Sequence, residues 1–176
     1  MATSVPQLAL ITGASKGIGQ STALAFAKAG VSCVLVGRSL ERLQSTLEAV
    51  RACGVEAFAF GIDLGQVDEL PHRFTQLLNQ VGPINILVNN AGMAYTNDLL
   101  DTPPQDWQAV IDLNLTSPFL CTQAVLPQMR SRKQGTIINV ISVAGRQTFP
   151  QWGAYCASKF GLMGFSKTLA QEERSY

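Results

Sequence analysis

Four polar residues in the second half of the 176-residue chain have side chains suited to handling a proton at a carbonyl: Asn114, Ser142, Tyr155 and Lys159. Tyr155 and Lys159 are four apart, so on a helix both project from one face. Ser142 follows the run Thr136-Ile137-Ile138-Asn139-Val140-Ile141, which reads as a strand, and open α/β sheets bind ligands at the carboxyl ends of their strands. Singly, each residue has an ordinary explanation. A Tyr/Lys pair at this spacing usually decorates a surface, and a serine after a strand often serves a turn or a helix cap. Jointly they meet the needs of one reaction. A hydride delivered to a carbonyl leaves an alkoxide that needs a proton at once. Free tyrosine, with a pKa near ~10, exchanges protons reluctantly at neutral pH, and a nearby lysine cation favours the phenolate. Ser142 would hold the carbonyl oxygen and Asn114 would position a water for proton relay. No metal is needed where Tyr and Ser both donate.

Such a reaction needs a hydride source, and the N-terminal part of the chain offers a seat for one. Leu8-Ala9-Leu10-Ile11 reads as a buried strand, and Thr12-Gly13-Ala14-Ser15-Lys16-Gly17-Ile18-Gly19 follows it with GxxxGxG spacing. Glycines here let the backbone turn sharply, approach a pyrophosphate and pack the next helix tightly on the strand. The N-terminus of that helix offers free N–H groups and partial positive charge. A plain glycine-rich turn has the same spacing, but the position between strand and helix points to a dinucleotide. Gly13, Ser15, Lys16, Gly17, Ile18 and Gly19 are then the expected contacts.

The second strand ends Val36-Gly37-Arg38-Ser39, with no acid at the turn. An Asp or Glu there binds a ribose 2′-hydroxyl, whereas an Arg accommodates a 2′-phosphate. Arg38, with Lys16 on the same side, favours NADP(H); the other reading of Arg38 is a solvated surface residue. Asp63 either accepts from the adenine amine or belongs to an acidic helix start with Asp68. Asn89-Asn90-Ala91-Gly92 follows the fourth strand, where buried amides need partners. A ligand and the neighbouring strand's backbone are the two candidates, and Asn90, Ala91 and Gly92 are expected at the cofactor.

The elements that must carry these residues alternate along the chain. Strands are expected at about 8–11, 33–36, 57–60, 84–88 and 136–141, and helices at about 17–29, 40–52, 67–80, from Pro103-Pro104 onward, and from Tyr155. A break or kink is expected at Pro118. Continuous apolar strands separated by helices argue for a parallel sheet covered on both faces, wound as a doubly wound α/β domain. No repeat, low-complexity tract or linker interrupts it, so residues 1–176 read as one domain.

Composition excludes several classes. Lys and Arg number 13 against 12 Asp and Glu, a net charge of +1, so no nucleic-acid partner is implied. Charged residues are 14% of the chain against roughly 25% in an average globular domain, which suggests that part of the surface is covered. His72 is the only histidine and the four cysteines form no CxxC pair, so neither a metal site nor a Ser-His-Asp triad is expected. Met1–Pro6 lacks the features of a signal peptide. No uninterrupted apolar run approaches the ~18 residues of a membrane span. A reducing cytoplasm is the simplest compartment.

The combination of Thr12–Gly19, Asn89-Asn90-Ala91-Gly92, Asn114, Ser142 and Tyr155-Cys156-Ala157-Ser158-Lys159 resembles the short-chain dehydrogenases/reductases, from about Leu8 to the end. The resemblance implies a three-layer Rossmann fold with five parallel strands in the order 3-2-1-4-5, and an NAD(P) cofactor. It implies Tyr155 as acid/base, Lys159 binding the nicotinamide ribose and tuning Tyr155, Ser142 polarising a small carbonyl or alcohol substrate, and Asn114 supporting the relay. The loop together with Gly37-Arg38 is similar to the NADP-preferring subgroup, which includes 3-oxoacyl-[acyl-carrier-protein] reductases and small carbonyl reductases.

The chain departs from the family in ending soon after the Tyr/Lys helix, with no Gly, Asn or Pro stop in Gln171–Tyr176. The expectation is a domain incomplete at its C-terminus, lacking the family's further strands. The alternative is then an idle chain that binds nucleotide or pairs with a full-length homologue. Phe119, Leu120, Ala124, Val125 and Met129, with Phe160, Leu162, Met163, Phe165 and Leu169, make two helices apolar on more than one side. By resemblance these helices form a dimer interface in a homo-oligomer, dimeric or tetrameric; core packing is the other reading.

Overall fold

The computed structural model describes residues 7–176, so Met1–Pro6, searched above for a leader, lies outside it. Five strands form one parallel sheet: β1 Leu8–Thr12, β2 Ser32–Gly37, β3 Ala57–Gly61, β4 Ile86–Asn89 and β5 Thr136–Asn139, in the order β3-β2-β1-β4-β5. Because β1 pairs with β2 on one side and β4 on the other, the winding direction reverses between β1 and β4. That switch point opens a crevice at the strands' carboxyl ends.

Alternation along the strands supplies two cores. Leu8 and Leu10 of β1 join Val34, Val36, Phe74, Leu77, Leu87 and Val125 on one face. Ala9 and Ile11 join Ala23, Leu35, Leu43, Leu47 and Val88 on the other. The helices α1 (Gly17–Lys28) and α2 (Leu40–Arg51) cover the second face, and α3 (Leu70–Val81) and α5 (Ser117–Arg132) cover the first. Each fully buried aliphatic side chain contributes about 1.5–3 kcal/mol. Helix α4 (Pro104–Ile111) and helix α6 (Gly153–Glu172) pack against each other beside the active end of the sheet.

The expected three-layer fold and strand order are therefore observed, with boundary shifts of one or two residues. The fourth strand begins at Ile86, not Ile84, and the fifth stops at Asn139, before Ser142. The third helix is preceded by a 3-10 turn, Val67–Glu69. The break expected at Pro118 takes a different form. A π-turn, Asp112–Thr116, joins α4 to α5 just ahead of it, and Pro118 follows that local change of hydrogen-bond register as the second residue of α5. Joined in this way, Pro104–Arg132 is long and apolar enough by length and composition to cross a membrane. Its buried side chains Val110, Asn114, Val125 and Met129 nevertheless belong to this domain's interior.

β5 is an edge strand among the described residues. A groove of about 600 Å³ runs along it between α5 and α6, lined by Met129, Ile137, Asn139, Ser166 and Leu169, and it contains none of the expected site residues. Of the apolar residues on the two helices, Val125, Met129 and Leu162 are core, while Phe119 and Phe160 face outward. Core packing thus accounts for part of their apolar surface, and Phe119 and Phe160 remain exposed.

Candidate active site

At the carboxyl end of β1 the backbone itself is the functional surface. Gly13 and Gly17 lie in the left-handed region, with φ of 65° and 60°. A Cβ on Gly19 would stand 2.3 Å from the Gly13 carbonyl oxygen, so α1 closes on the turn only because position 19 has no side chain. Nothing lies within 4 Å of a Cβ built on Gly17, so the approach to the helix N-terminus is open there. Lys16 is the N-cap and provides no side-chain cap, and the first turn of α1 holds no acid. The first N–H groups of α1 are thus left for an external acceptor. This backbone fits a pyrophosphate, and a bound dinucleotide would be held by residues 13–19. Ser15 is half-buried, while Lys16 and Ile18 are exposed.

Arg38 stands at the end of β2, exposed, and takes part in neither ion pair of the described residues. Its guanidinium is open to an anion. Asp63 is exposed too, and one of its oxygens accepts the Gly65 N–H at 3.0 Å in a local turn ahead of the 3-10 turn that contains Asp68.

The asparagine pair after β4 divides its work. Asn90 donates through Nδ2 to the carbonyls of Thr12, at 2.9 Å, and Gly13, at 3.3 Å. The Thr12 hydroxyl in turn accepts the N–H groups of Asn90 and Ala91 at 2.9 and 3.0 Å. The ends of β1 and β4 are clamped across the switch point, so for Asn90 the neighbouring backbone is the partner. Asn89 donates to Asn139 Oδ1 at 2.9 Å, and Asn139 to the Ser166 hydroxyl at 2.8 Å, a polar ladder from β4 to α6. The Asn89 Oδ1 is buried with no partner among the described residues.

At the other side of the crevice, α6 presents Tyr155 and Lys159. The turn after β5 lies directly on this helix, since a Cβ on Gly145 would stand 2.8 Å from the Lys159 carbonyl oxygen. Ser142 opens that turn and its hydroxyl accepts the Ala144 N–H at 3.2 Å, which caps the turn. Lys159 is 4% exposed, and its Nζ donates to the Val140 carbonyl at 3.0 Å and stands 5.7 Å from the Tyr155 ring centre. Burial holds its pKa below the ordinary lysine value, because the charged form loses hydration. The face of the phenol ring partly compensates the cation.

Asn114, at the centre of the π-turn and fully buried, is occupied differently from the expectation. Its Nδ2 donates to the Met93 carbonyl at 2.8 Å and the Ser158 hydroxyl at 3.1 Å, and its Oδ1 accepts the Met93 N–H at 2.9 Å. Ser158 passes the connection to the Tyr155 carbonyl at 2.7 Å. The side chain is a brace between the strand-4 loop and α6, and only one Oδ1 lone pair remains for a water. That oxygen faces Gly92, whose missing side chain also leaves room beside Lys159: a Cβ there would lie 3.2 Å from Oδ1 and 3.7 Å from Nζ.

These elements enclose a cleft of about 330 Å³ lined by Ile18, Asn90, Gly92, Met93, Ala94, Val140, Ile141, Trp152, Tyr155 and Lys159. Ile18 of the glycine loop and the Tyr155/Lys159 pair, far apart in sequence, share this one opening. Ser142 adjoins it through Ile141, while Arg38 and Asp63 lie outside its lining.

The profile of the short chain dehydrogenase family matches residues 7–176. The chain belongs to that family. A 3-oxoacyl-[acyl-carrier-protein] reductase from Synechocystis is 43% identical over 173 residues, 98% of this chain and 70% of the reductase. Among solved structures, a metagenomic short-chain oxidoreductase in complex with NADP superposes with a TM-score of 0.92 at 37% identity, covering 96% of this chain and 77% of that one. An NAD+-bound xylitol dehydrogenase superposes with a TM-score of 0.90 at 31% identity, covering 97% and 66%. As a short-chain dehydrogenase, this protein is an NAD(P)-dependent oxidoreductase with the parallel Rossmann sheet that family members share.

Sequence reasoning missed Trp152, Met93 and the bracing hydroxyl of Ser158. Aromatic and aliphatic residues near a turn read as packing. Only the fold reveals that Trp152 and Met93 face the opening.

Proposed function

We propose that this short-chain dehydrogenase reduces a carbonyl compound, reversibly, with NADP(H) as its cofactor and Tyr155 as its acid/base. The observation that carries the proposal is the shared cleft, in which Ile18 of the glycine loop and Asn90 and Gly92 after β4 face Tyr155 and the buried Lys159. When bound, the nicotinamide supplies or takes up the hydride. Tyr155 gives its hydroxyl proton to the oxygen of the reduced substrate. Lys159 donates to the neutral Val140 carbonyl, and in its protonated form it favours the anionic phenol after that transfer. Ser142 donates to the substrate oxygen and polarises the carbonyl before transfer, while its oxygen goes on accepting the Ala144 N–H that orients it. A water between Asn114 Oδ1 and Lys159, in the space left by Gly92, would return the proton from solvent.

Arg38 supports the NADP(H) preference, because an exposed guanidinium free of acids can form charge-assisted bonds to a 2′-phosphate, each contributing about 1.5–3 kcal/mol. The NADP complex of the related oxidoreductase supports this preference, and the NAD+-bound xylitol dehydrogenase carries the other cofactor on the same fold. Exposed Phe119 and Phe160 support a homo-oligomer, and the four free cysteines support a reducing compartment such as the cytoplasm.

The test is a fluorescence titration with NADPH and with NADH, followed by carbonyl-dependent NADPH oxidation. Saturable, NADPH-selective binding followed by oxidation is expected. Binding without any oxidation, across a panel that includes 3-oxoacyl thioesters and simple ketones, would reduce the chain to a nucleotide binder.

A further inference from the structure

We infer that Trp152 positions the Tyr155 ring and selects substrates that carry a flat or bulky apolar group beside the reacting carbon. The inference rests on the assignment of Tyr155 as acid/base. The indole stands edge-on to the Tyr155 ring, with centres 5.3 Å apart and planes at 85°, and Phe149 backs the indole at 5.8 Å and 52°. Edge-to-face pairs of this kind are favoured by the ring quadrupoles and resist rotation of either partner.

The backbone holds the indole in place. The Trp152 carbonyl accepts the Cys156 N–H at 2.7 Å in the first turn of α6, and its N–H donates to the Phe149 carbonyl at 3.3 Å. Trp152 also bridges to Asn97, whose N–H donates to the Gln151 carbonyl at 3.0 Å. Gln151 has φ of 66°, in the left-handed region that such residues seldom occupy. Outliers of this type persist only where their surroundings hold them, and they cluster at functional sites. Leu99 of the strand-4 loop reaches the start of α6, its Cδ2 lying 2.5 Å from where a Cβ on Gly153 would stand.

So firmly held, the indole is still 36% exposed and lines the cleft. Met93, Ala94, Val140 and Ile141 give the rest of the lining an apolar wall opposite Asn90 and Tyr155, and Lys159, committed to the Val140 carbonyl, is the charged side chain in it. Ile18 extends the apolar surface outward at 64% exposure. The walls hold no free cation for a substrate carboxylate or phosphate. Their surface matches a ketone or secondary alcohol with an aryl or branched apolar substituent laid against Trp152, in preference to hydroxy acids and phosphorylated sugars.

The experiment uses the full chain with Trp107→Phe, which leaves Trp152 as the only tryptophan. Acetophenone, with pyruvate as control, is titrated into the protein saturated with NADP+, so that binding is read without turnover. Saturable quenching of indole emission by acetophenone alone is expected; linear quenching, or equal quenching by pyruvate, would overturn the subsite. In steady state, Trp152→Ala should raise the KM for acetophenone at least ten-fold and lower kcat several-fold. Trp152→Phe should restore most of both, and NADPH affinity should stay within two-fold throughout. Saturable quenching with no turnover supports the Trp152 subsite and counts against Tyr155 as acid/base. Turnover that depends on Tyr155 but keeps its aryl preference in Trp152→Ala defeats the Trp152 inference alone.

Discussion

The two sides of the crevice are built on opposite principles. On the β1 side the working surface is backbone: glycines at 13, 17 and 19, free N–H groups at the start of α1, and the Thr12–Asn90 clamp. On the β5 side it is side chains: Ser142, Tyr155 and Lys159 stand on a short edge strand's turn and on one helix, supported by bonds from Asn114 and Ser158. β1 is buried along its whole length, whereas β5 alternates exposed and half-buried residues. A backbone site fails when atoms are added, and a side-chain site fails when atoms are removed. Substitutions should therefore separate the two sides by what they destroy.

The largest effect is expected on the backbone side. Gly19→Ala places a methyl against a carbonyl oxygen that cannot yield, and overpacking of this kind costs up to ~3 kcal/mol. For a domain of this size that lowers Tm by about 6–12 °C, and NADPH affinity should fall with it. A Gly19→Ala protein that melts and binds like the wild type would remove the argument for the cradle.

Lys159→Ala should reduce turnover by about two orders of magnitude, in the range of a lost acid–base contribution, and weaken NADPH binding several-fold. It also has a stability signature. The folded value of Lys159 lies below its unfolded value, so between the two the unfolded chain binds more protons and wild-type stability rises with pH. The penalty of a buried cation is present in full below the folded value and disappears as pH climbs to the unfolded one. Urea melts across pH 7–10.5 should show that rise flattened in Lys159→Met.

Arg38→Asp should leave the fold and the chemistry intact while lowering the NADPH-to-NADH affinity ratio by about 10–100-fold, the equivalent of one or two lost charge-assisted bonds. An unchanged ratio would return Arg38 to the solvated surface. The smallest effect concerns the thiols. Burial pushes Cys33 up to about 11 and Cys121 up to about 12, whereas Cys53 is exposed. Iodoacetamide at pH 8 should alkylate Cys53 first, with no loss of NADPH binding, and should reach Cys33 and Cys121 only on unfolding. Mass mapping of the labelled peptides reads the order.

The backbone side was the more legible in sequence, because a requirement for glycine is written in the residue type itself. The spacing 13–17–19 and the apolar runs of β1 and β2 lead to the turn and its helix directly. Tyr155 and Lys159 were legible through helical spacing. What the sequence hid depends on contacts between distant segments. Sequence shows nothing of the bracing work of Asn114, whose bonds to Met93 and Ser158 span 21 and 44 residues and leave one Oδ1 lone pair for a water. The Asn90 amide is committed to carbonyls 77 and 78 residues distant. The helix disturbance near Pro118 is a π-turn, which no residue type announces. Trp152 reads as packing until the loop after β4 docks beside it and the cleft opens at its edge.

The central claim, that Tyr155 delivers the proton in this cleft, is tested most directly by single-turnover oxidation of bound NADPH with a ketone, in the wild type and in Tyr155→Phe. Absorbance at the nicotinamide band follows the transfer, and the fluorescence titration reports binding on the same samples. The expected result is NADPH affinity within two-fold of the wild type and a transfer rate at least 100-fold slower in the variant. Transfer at the wild-type rate in Tyr155→Phe would contradict the assignment and move the proton to another group in the cleft.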